Sequence, residues 1–175
     1  MSIRSDCSFR AAAYKVLRRS ALQKAVDHAK KQGKTVVFTN GCFDILHIGH
    51  VRYLQDARAC GDMLVVAVNS DDSVRKLKGP ERPVVPEFER VEILAALECV
   101  DYVTIFTEDT PTELILAIKP DVHVKGGDYR PEDLPEAGAV LSVGGRIEIV
   151  PYTSTETEGR STTSLIGRIV RNHRA

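Results

Sequence analysis

Short apolar, β-branched runs alternate with stretches in which apolar residues recur every three or four positions. Thr35-Val36-Val37-Phe38-Thr39 is the first such run; its length and composition predict a buried strand ending at Asn40-Gly41. Met63 to Val68, Tyr102 to Phe106, Val122 to Val124 and Arg146 to Val150 predict four more. Helical spacing fills the intervals. Leu22, Ala25, Val26 and Ala29 follow Ser20, a good N-cap, and stop at Gly33. Ile48, Val51, Leu54 and Ala57 stop at Gly61, and Phe88, Val91, Leu94 and Ala95 follow Pro86. Thr110-Pro111-Thr112-Glu113 reads as a capping box before Leu114, Ile115 and Ile118, with Pro120 as the stop. Leu165, Ile166, Ile169 and Val170 form a last helix.

Strands that alternate with helices imply crossover connections and a parallel sheet covered on both faces. The expected fold is α/β, a single Rossmann-like, doubly wound, five-stranded parallel sheet. Residues 1–19 are basic and weakly patterned and read as an accessory segment, leaving 20–175 as the domain. In such sheets a ligand binds beyond the carboxyl ends of the strands, where strand order reverses.

Composition narrows the classes. The 175 residues suit one domain with one sizeable core, and 43% are apolar and 27% charged, as in a soluble globular protein. Lys plus Arg and Asp plus Glu both number 24, a balance that argues against nucleic acid as partner but leaves room for a local cationic pocket. No apolar run approaches the roughly 20 residues of a membrane helix, and no secretory leader is legible. Cys7, Cys42, Cys60 and Cys99 stand apart without a CxxC pair, which reads as free thiols in a reducing cytoplasm.

The chemistry concentrates after the first strand, in Asn40-Gly41-Cys42-Phe43-Asp44-Ile45-Leu46-His47-Ile48-Gly49-His50. There is no GxGxxG fingerprint and no Walker A lysine loop. Instead, His47 and His50 stand three apart around Gly49 at a helix start, which places both imidazoles on one face. A helix N-terminus favours an anion, and Gly49 permits close approach to the backbone. Two imidazoles there could donate to phosphate oxygens as charge builds. They could also be two polar helix-start residues, or a metal pair lacking a third ligand nearby in sequence. Lys76, Lys78 and Arg90 could surround a triphosphate, or form a solvated basic turn. In Lys125-Gly126-Gly127-Asp128-Tyr129 the glycines allow a tight turn, and Asp128 could hold a sugar hydroxyl or a metal. Ser161-Thr162-Thr163 is a cap cluster whose hydroxyls could also reach a phosphate or a base. His123, in a later strand, reads as an inward core residue.

Gly41 to His50 resembles the GxFDxxHxGH signature of the nucleotidyltransferase superfamily, a similarity that extends over about residues 34–172. Arg75-Lys76-Leu77-Lys78-Gly79, Arg90, Lys125 to Tyr129 and Glu158 to Ser164 make the chain similar, within it, to the heptose 1-phosphate adenylyltransferases. That resemblance implies transfer of an adenylyl group from ATP, with Mg²⁺ carried on its phosphates, to a sugar 1-phosphate. It implies His47, His50, Lys76 and Lys78 as catalytic residues, with Asp44 orienting His47 and its loop. It implies nucleotide and substrate contacts from Thr39, Asn40, Gly41, Phe43, Asp44, Gly49, Arg90, Lys125, Gly126, Asp128, Ser161, Thr162 and Thr163. No resident metal ligand is expected. The further expectations are a homo-oligomer, dimer or tetramer, and a stand-alone form working downstream of a separate heptose kinase. A glycerol-phosphate cytidylyltransferase and a nucleotide-binding protein without catalysis are the rival readings. Cytidylyltransferases carry Arg where this chain has Glu156, and Arg160 is the available substitute.

Overall fold

The computed structural model describes residues 11–127, 130–150 and 162–173. Five parallel strands form one sheet: β1 (Val36–Gly41), β2 (Met63–Asn69), β3 (Tyr102–Phe106), β4 (Val122–Gly126) and β5 (Arg146–Val150). Their order is β3-β2-β1-β4-β5. The order reverses at β1, so the switch point lies between β1 and β4, which pair with Val37 opposite Val122 and Phe38 opposite His123. This is the expected doubly wound, Rossmann-like α/β sheet. Eight α-helices accompany it among the described residues: α1 (Ala11–Lys15), α2 (Arg19–Lys31), α3 (Ile48–Ala59), α4 (Asp71–Lys78), α5 (Glu87–Ala95), α6 (Thr112–Ile118), α7 (Ala137–Ser142) and α8 (Thr162–His173).

Strand side chains alternate between faces, so each strand feeds two cores. Val37, Val66, Val68, Val122 and Val124 pack against Leu54 and Ala57 of α3 and Val91, Leu94 and Ala95 of α5. Val36, Phe38, Val65 and Ala67 pack against Leu22 and Val26 of α2, Leu114, Ile115 and Ile118 of α6, and Val140 of α7. Every residue of β2 is buried, as its unbroken apolar run requires.

The structure corrects several local expectations. Ser20 lies inside α2, whose N-cap is Arg18 and makes no side-chain cap. Pro111 is the N-cap of α6 rather than its first helical residue, and the Thr110 hydroxyl meets that of Thr112 at 2.9 Å instead of closing a capping box. Residues 71–78, to which the sequence pattern assigns no element, form α4. Ser70 caps it by accepting from the Ser73 N–H, with Asp71 and Asp72 in the first turn and Arg75, Lys76 and Lys78 in the last. Residues 12–17, within the 1–19 segment, contact the sheet and its core. The Leu17 N–H donates to the Val103 carbonyl at 2.9 Å, the Lys15 ammonium to the Val100 carbonyl at 2.7 Å, and Ala12 and Val16 pack on the core.

Candidate active site

A cleft of about 390 Å³ opens at the carboxyl ends of β1, β2 and β4, where the switch point predicts a ligand. Its lining includes Asn40, Gly41, Phe43, Asp44, Gly49, His50, Lys78, Lys125, Gly126 and Thr162 from the expected set. Cys42, Tyr53, Asn69 and Leu77 line it as well.

Extended backbone at His47 (φ −139°, ψ 171°) makes it the N-cap of α3, and its carbonyl starts the helix by accepting from the His50 N–H at 2.9 Å. One turn later His50 stacks on it, ring centroids 3.9 Å apart and planes 28° from parallel. Gly49 makes this possible, since a Cβ there would lie 3.0 Å from the His47 ring. Phe43 supports the pair from the side, its ring edge-on to His50 at 5.5 Å. Phe43 adopts φ 46°, a left-handed conformation costing roughly 1–2 kcal/mol in a non-glycine residue, and the buried ring holds it there.

Burial lowers the His47 imidazole below its ordinary pKa. Burial, His47 and the Lys78 charge together bring His50 down to about 4. The Nδ1 atoms of both rings are buried with no hydrogen-bond partner among the described residues. A neutral imidazole carries one N–H donor and one lone pair. Two such rings, stacked at a helix N-terminus beside a lysine and each with an unpartnered Nδ1, can donate to an oxyanion.

The structure separates the expected cations. Lys76 and Lys78 are two residues apart on α4, so they diverge. Lys78 lines the cleft; Lys76 is largely exposed and meets Asp109 at 3.2 Å. Arg90, expected near the triphosphate, is turned inward and fully buried. Its Nε donates to the Val85 carbonyl at 2.9 Å, Nη1 to the Cys42 carbonyl, and Nη2 to the Asn69 carbonyl and Asp71, both at 2.8 Å. It thus clamps the loops after β1 and β2 from below. Asp44 does not touch His47: it accepts from the Val84 and Val85 N–H groups at 2.8 and 2.9 Å and from Arg82. It thereby ties the signature loop to the 82–85 segment.

Thr39 is fully buried, its hydroxyl 2.6 Å from that of Tyr53, which donates to the Val124 carbonyl at 2.9 Å. Lys125 donates to Asn40 Oδ1 at 2.8 Å and pairs with Glu136 at 2.9 Å. Thr162 donates to the Ile45 carbonyl at 3.4 Å, tying α8 to the signature loop, while Thr163 is exposed. Asp128, Ser161, Glu156 and Arg160 lie outside the described residues. Tyr53 carried a signal that sequence reading missed: it stands three residues after His50, on the same helical face. Glu136 carried none, for nothing in Pro135-Glu136-Ala137 marks it as buried. Among the described residues no three His, Cys, Asp or Glu side chains converge as a metal cage, and no helix is long and apolar enough to cross a membrane.

Known proteins resemble this chain in sequence and in fold. "Bifunctional protein HldE" of Geotalea uraniireducens is 55% identical over 155 residues, covering 89% of this chain and 31% of the relative. Its namesakes in Syntrophotalea carbinolica and Cronobacter sakazakii are 54% and 52% identical, covering 89% and 90% of this chain and 31% and 32% of theirs. The chain therefore spans about a third of the length of these relatives. A crystal structure of the lipopolysaccharide core biosynthesis protein from Thermoplasma volcanium matches with a TM-score of 0.58 and 30% identity, over 70% of this chain and 98% of that one. Residues 38–168, which hold the paired histidines and the whole cleft described above, match the cytidylyltransferase-like family, and the chain belongs to it.

Proposed function

We propose that the protein is an adenylyltransferase that joins ATP and D-glycero-β-D-manno-heptose 1-phosphate, giving ADP-heptose and pyrophosphate for the lipopolysaccharide inner core. The observation that carries this reading is the stacked His47–His50 pair at the start of α3, each ring with an unpartnered Nδ1, with His50 lining a cleft that also presents Lys78 and Lys125. The HldE relatives and the lipopolysaccharide core protein support the substrate class.

The reaction forms a bond between an oxygen of the sugar 1-phosphate and the α-phosphorus of ATP, and breaks the bond from that phosphorus to the bridging oxygen of pyrophosphate. The attacking oxygen belongs to a phosphate whose second pKa is about 6, so it arrives deprotonated and needs no base. The protein's tasks are alignment and neutralisation of charge. His50, neutral near pH 7, donates a hydrogen bond to the phosphate without giving up or taking up a proton. His47 stacks on it, and the Lys78 ammonium, on the cleft wall, faces the triphosphate. Mg²⁺ carried on the ATP phosphates would supply further charge neutralisation there; among the described residues no three His, Cys, Asp or Glu side chains converge to hold it. Asn40, Gly41, Gly49, Lys125, Gly126 and Thr162 line the binding surface. The active unit is a homo-oligomer in the cytoplasm, and its sugar 1-phosphate is the product of a heptose kinase activity.

Pyrophosphate release, measured across a matrix of ATP and CTP against heptose 1-phosphate and glycerol 3-phosphate, tests the reading. The expected result is fastest turnover with ATP and heptose 1-phosphate. Faster turnover with CTP and glycerol 3-phosphate moves the protein to the alcohol-phosphate cytidylyltransferases. Nucleotide binding without release in any pair leaves a binding protein.

A further inference from the structure

Lys125 and Asn40 face the cleft, but the group that arranges them lies behind it. Glu136, the N-cap of α7, is only 2% exposed. Burying a carboxylate costs several kcal/mol unless it is paired with good geometry. Its Oε1 accepts from Lys125 Nζ at 2.9 Å and from His123 Nε2 at 3.2 Å. Burial pushes the carboxyl up, but the His123 hydrogen bond and the Lys125 charge outweigh it and bring the group to about 2. Burial keeps His123 neutral by lowering its pKa. The ionised Glu136 therefore has Lys125 as its counter-charge.

Strand geometry explains why this row ends in the cleft. Residues 123 and 125 share one face of β4, as 38 and 40 share one face of β1. Phe38 pairs with His123 and stacks on it at 5.4 Å; one step further along, Lys125 Nζ donates to Asn40 Oδ1 at 2.8 Å. With Oδ1 taken, the Asn40 amide is held with its Nδ2–H donors directed away from Lys125. The ammonium has three donors. Two are engaged, and the third has no acceptor among the described residues.

We infer that Glu136 is a positioning residue: through Lys125 it aims the free donors of Lys125 and Asn40 at one phosphate group, at the switch point between β1 and β4. Resting on the function proposed above, this assigns part of its substrate specificity to a residue outside the cleft. The phosphate belongs either to the nucleotide or to the sugar.

A double-mutant cycle with Glu136→Gln and Lys125→Met tests it. Glu136→Gln is expected to lower kcat/KM about tenfold, mainly by raising KM for one substrate, and that substrate is the owner of the phosphate. Lys125→Met should lower it at least as much, and the double variant should match Lys125→Met within about twofold, because one path is being cut twice. Losses that multiply overturn the inference. The Asn40 side-chain amide signals in the ¹H–¹⁵N spectrum of the free protein, assigned by their loss in Asn40→Asp, give a second readout. Both single variants should shift them, and the double variant no further than Lys125→Met; signals unmoved by Glu136→Gln overturn the inference. If the parent releases no pyrophosphate with heptose 1-phosphate, the proposed function fails, and the Asn40 signals alone decide this inference. If Glu136→Gln does not fold, Glu136→Asp, which keeps the charge and shortens the reach, takes its place with the same expected outcomes.

Discussion

Replacing Arg90 by lysine distinguishes two roles for one cation. The guanidinium serves four buried or half-buried acceptors through Nε, Nη1 and Nη2: the carbonyls of Val85, Cys42 and Asn69 and the Asp71 carboxylate. A lysine ammonium keeps the charge but has three donors on a single atom and cannot span acceptors placed around a planar fork. At least two of the four bonds are lost. A hydrogen bond to a charged group contributes about 1.5–3 kcal/mol, so Arg90→Lys should destabilise the fold by roughly 3 kcal/mol or more. For a domain of this size that lowers Tm by about 6–12 °C. Thermal melts and urea titrations, at saturating and zero ATP, measure it, and ATP affinity of the folded variant should stay within a few-fold of the parent. A variant that melts within 2 °C of the parent while losing tenfold or more in ATP affinity would refute the clamp and return Arg90 to the triphosphate, where the signature resemblance places it.

Three further outcomes are expected. His50→Ala should fold and bind ATP nearly as the parent does, yet lose about 10²–10³ in kcat, the usual cost of removing one donor to a developing oxyanion; His123→Ala, stripped from the buried Glu136, should instead lower the urea midpoint. Stability should fall on acidification: His50 has its ordinary 6.5 in the unfolded chain and about 4 in the fold, so between these values the unfolded state binds more protons. The contribution is intact above about pH 6.5 and decreases towards pH 4, by up to roughly 3 kcal/mol, so urea midpoints at pH 7.5 and 5.0 should differ and His50→Ala should flatten the difference. Chelator should abolish pyrophosphate release and Mg²⁺ restore it, and elemental analysis should find no stoichiometric zinc; a bound zinc would identify the histidines as metal ligands.

Periodicity alone determined the sheet. Buried parallel strands must be apolar on both faces, so β1 to β4 announce themselves as short β-branched runs, and alternation with helices leaves few topologies. The signature stretch was equally legible, because its chemistry is local: His47, Gly49 and His50 meet through one turn of one helix. Helices α1, α4 and α7 were not legible. They are five, eight and six residues long, too short for an apolar stripe, and α4 displays only its caps and end charges. Which cation faces the cleft was a tertiary decision. Lys78, Lys76 and Arg90 look alike along the chain, but the α4 helix turns the first inward and the second towards Asp109, and the core draws the third beneath the loops. Glu136 was hidden for the same reason. Its partners His123 and Lys125 lie 13 and 11 positions away on another element, and only the tertiary placement of the α7 N-cap beside β4 turns an ordinary acidic residue into a buried counter-charge.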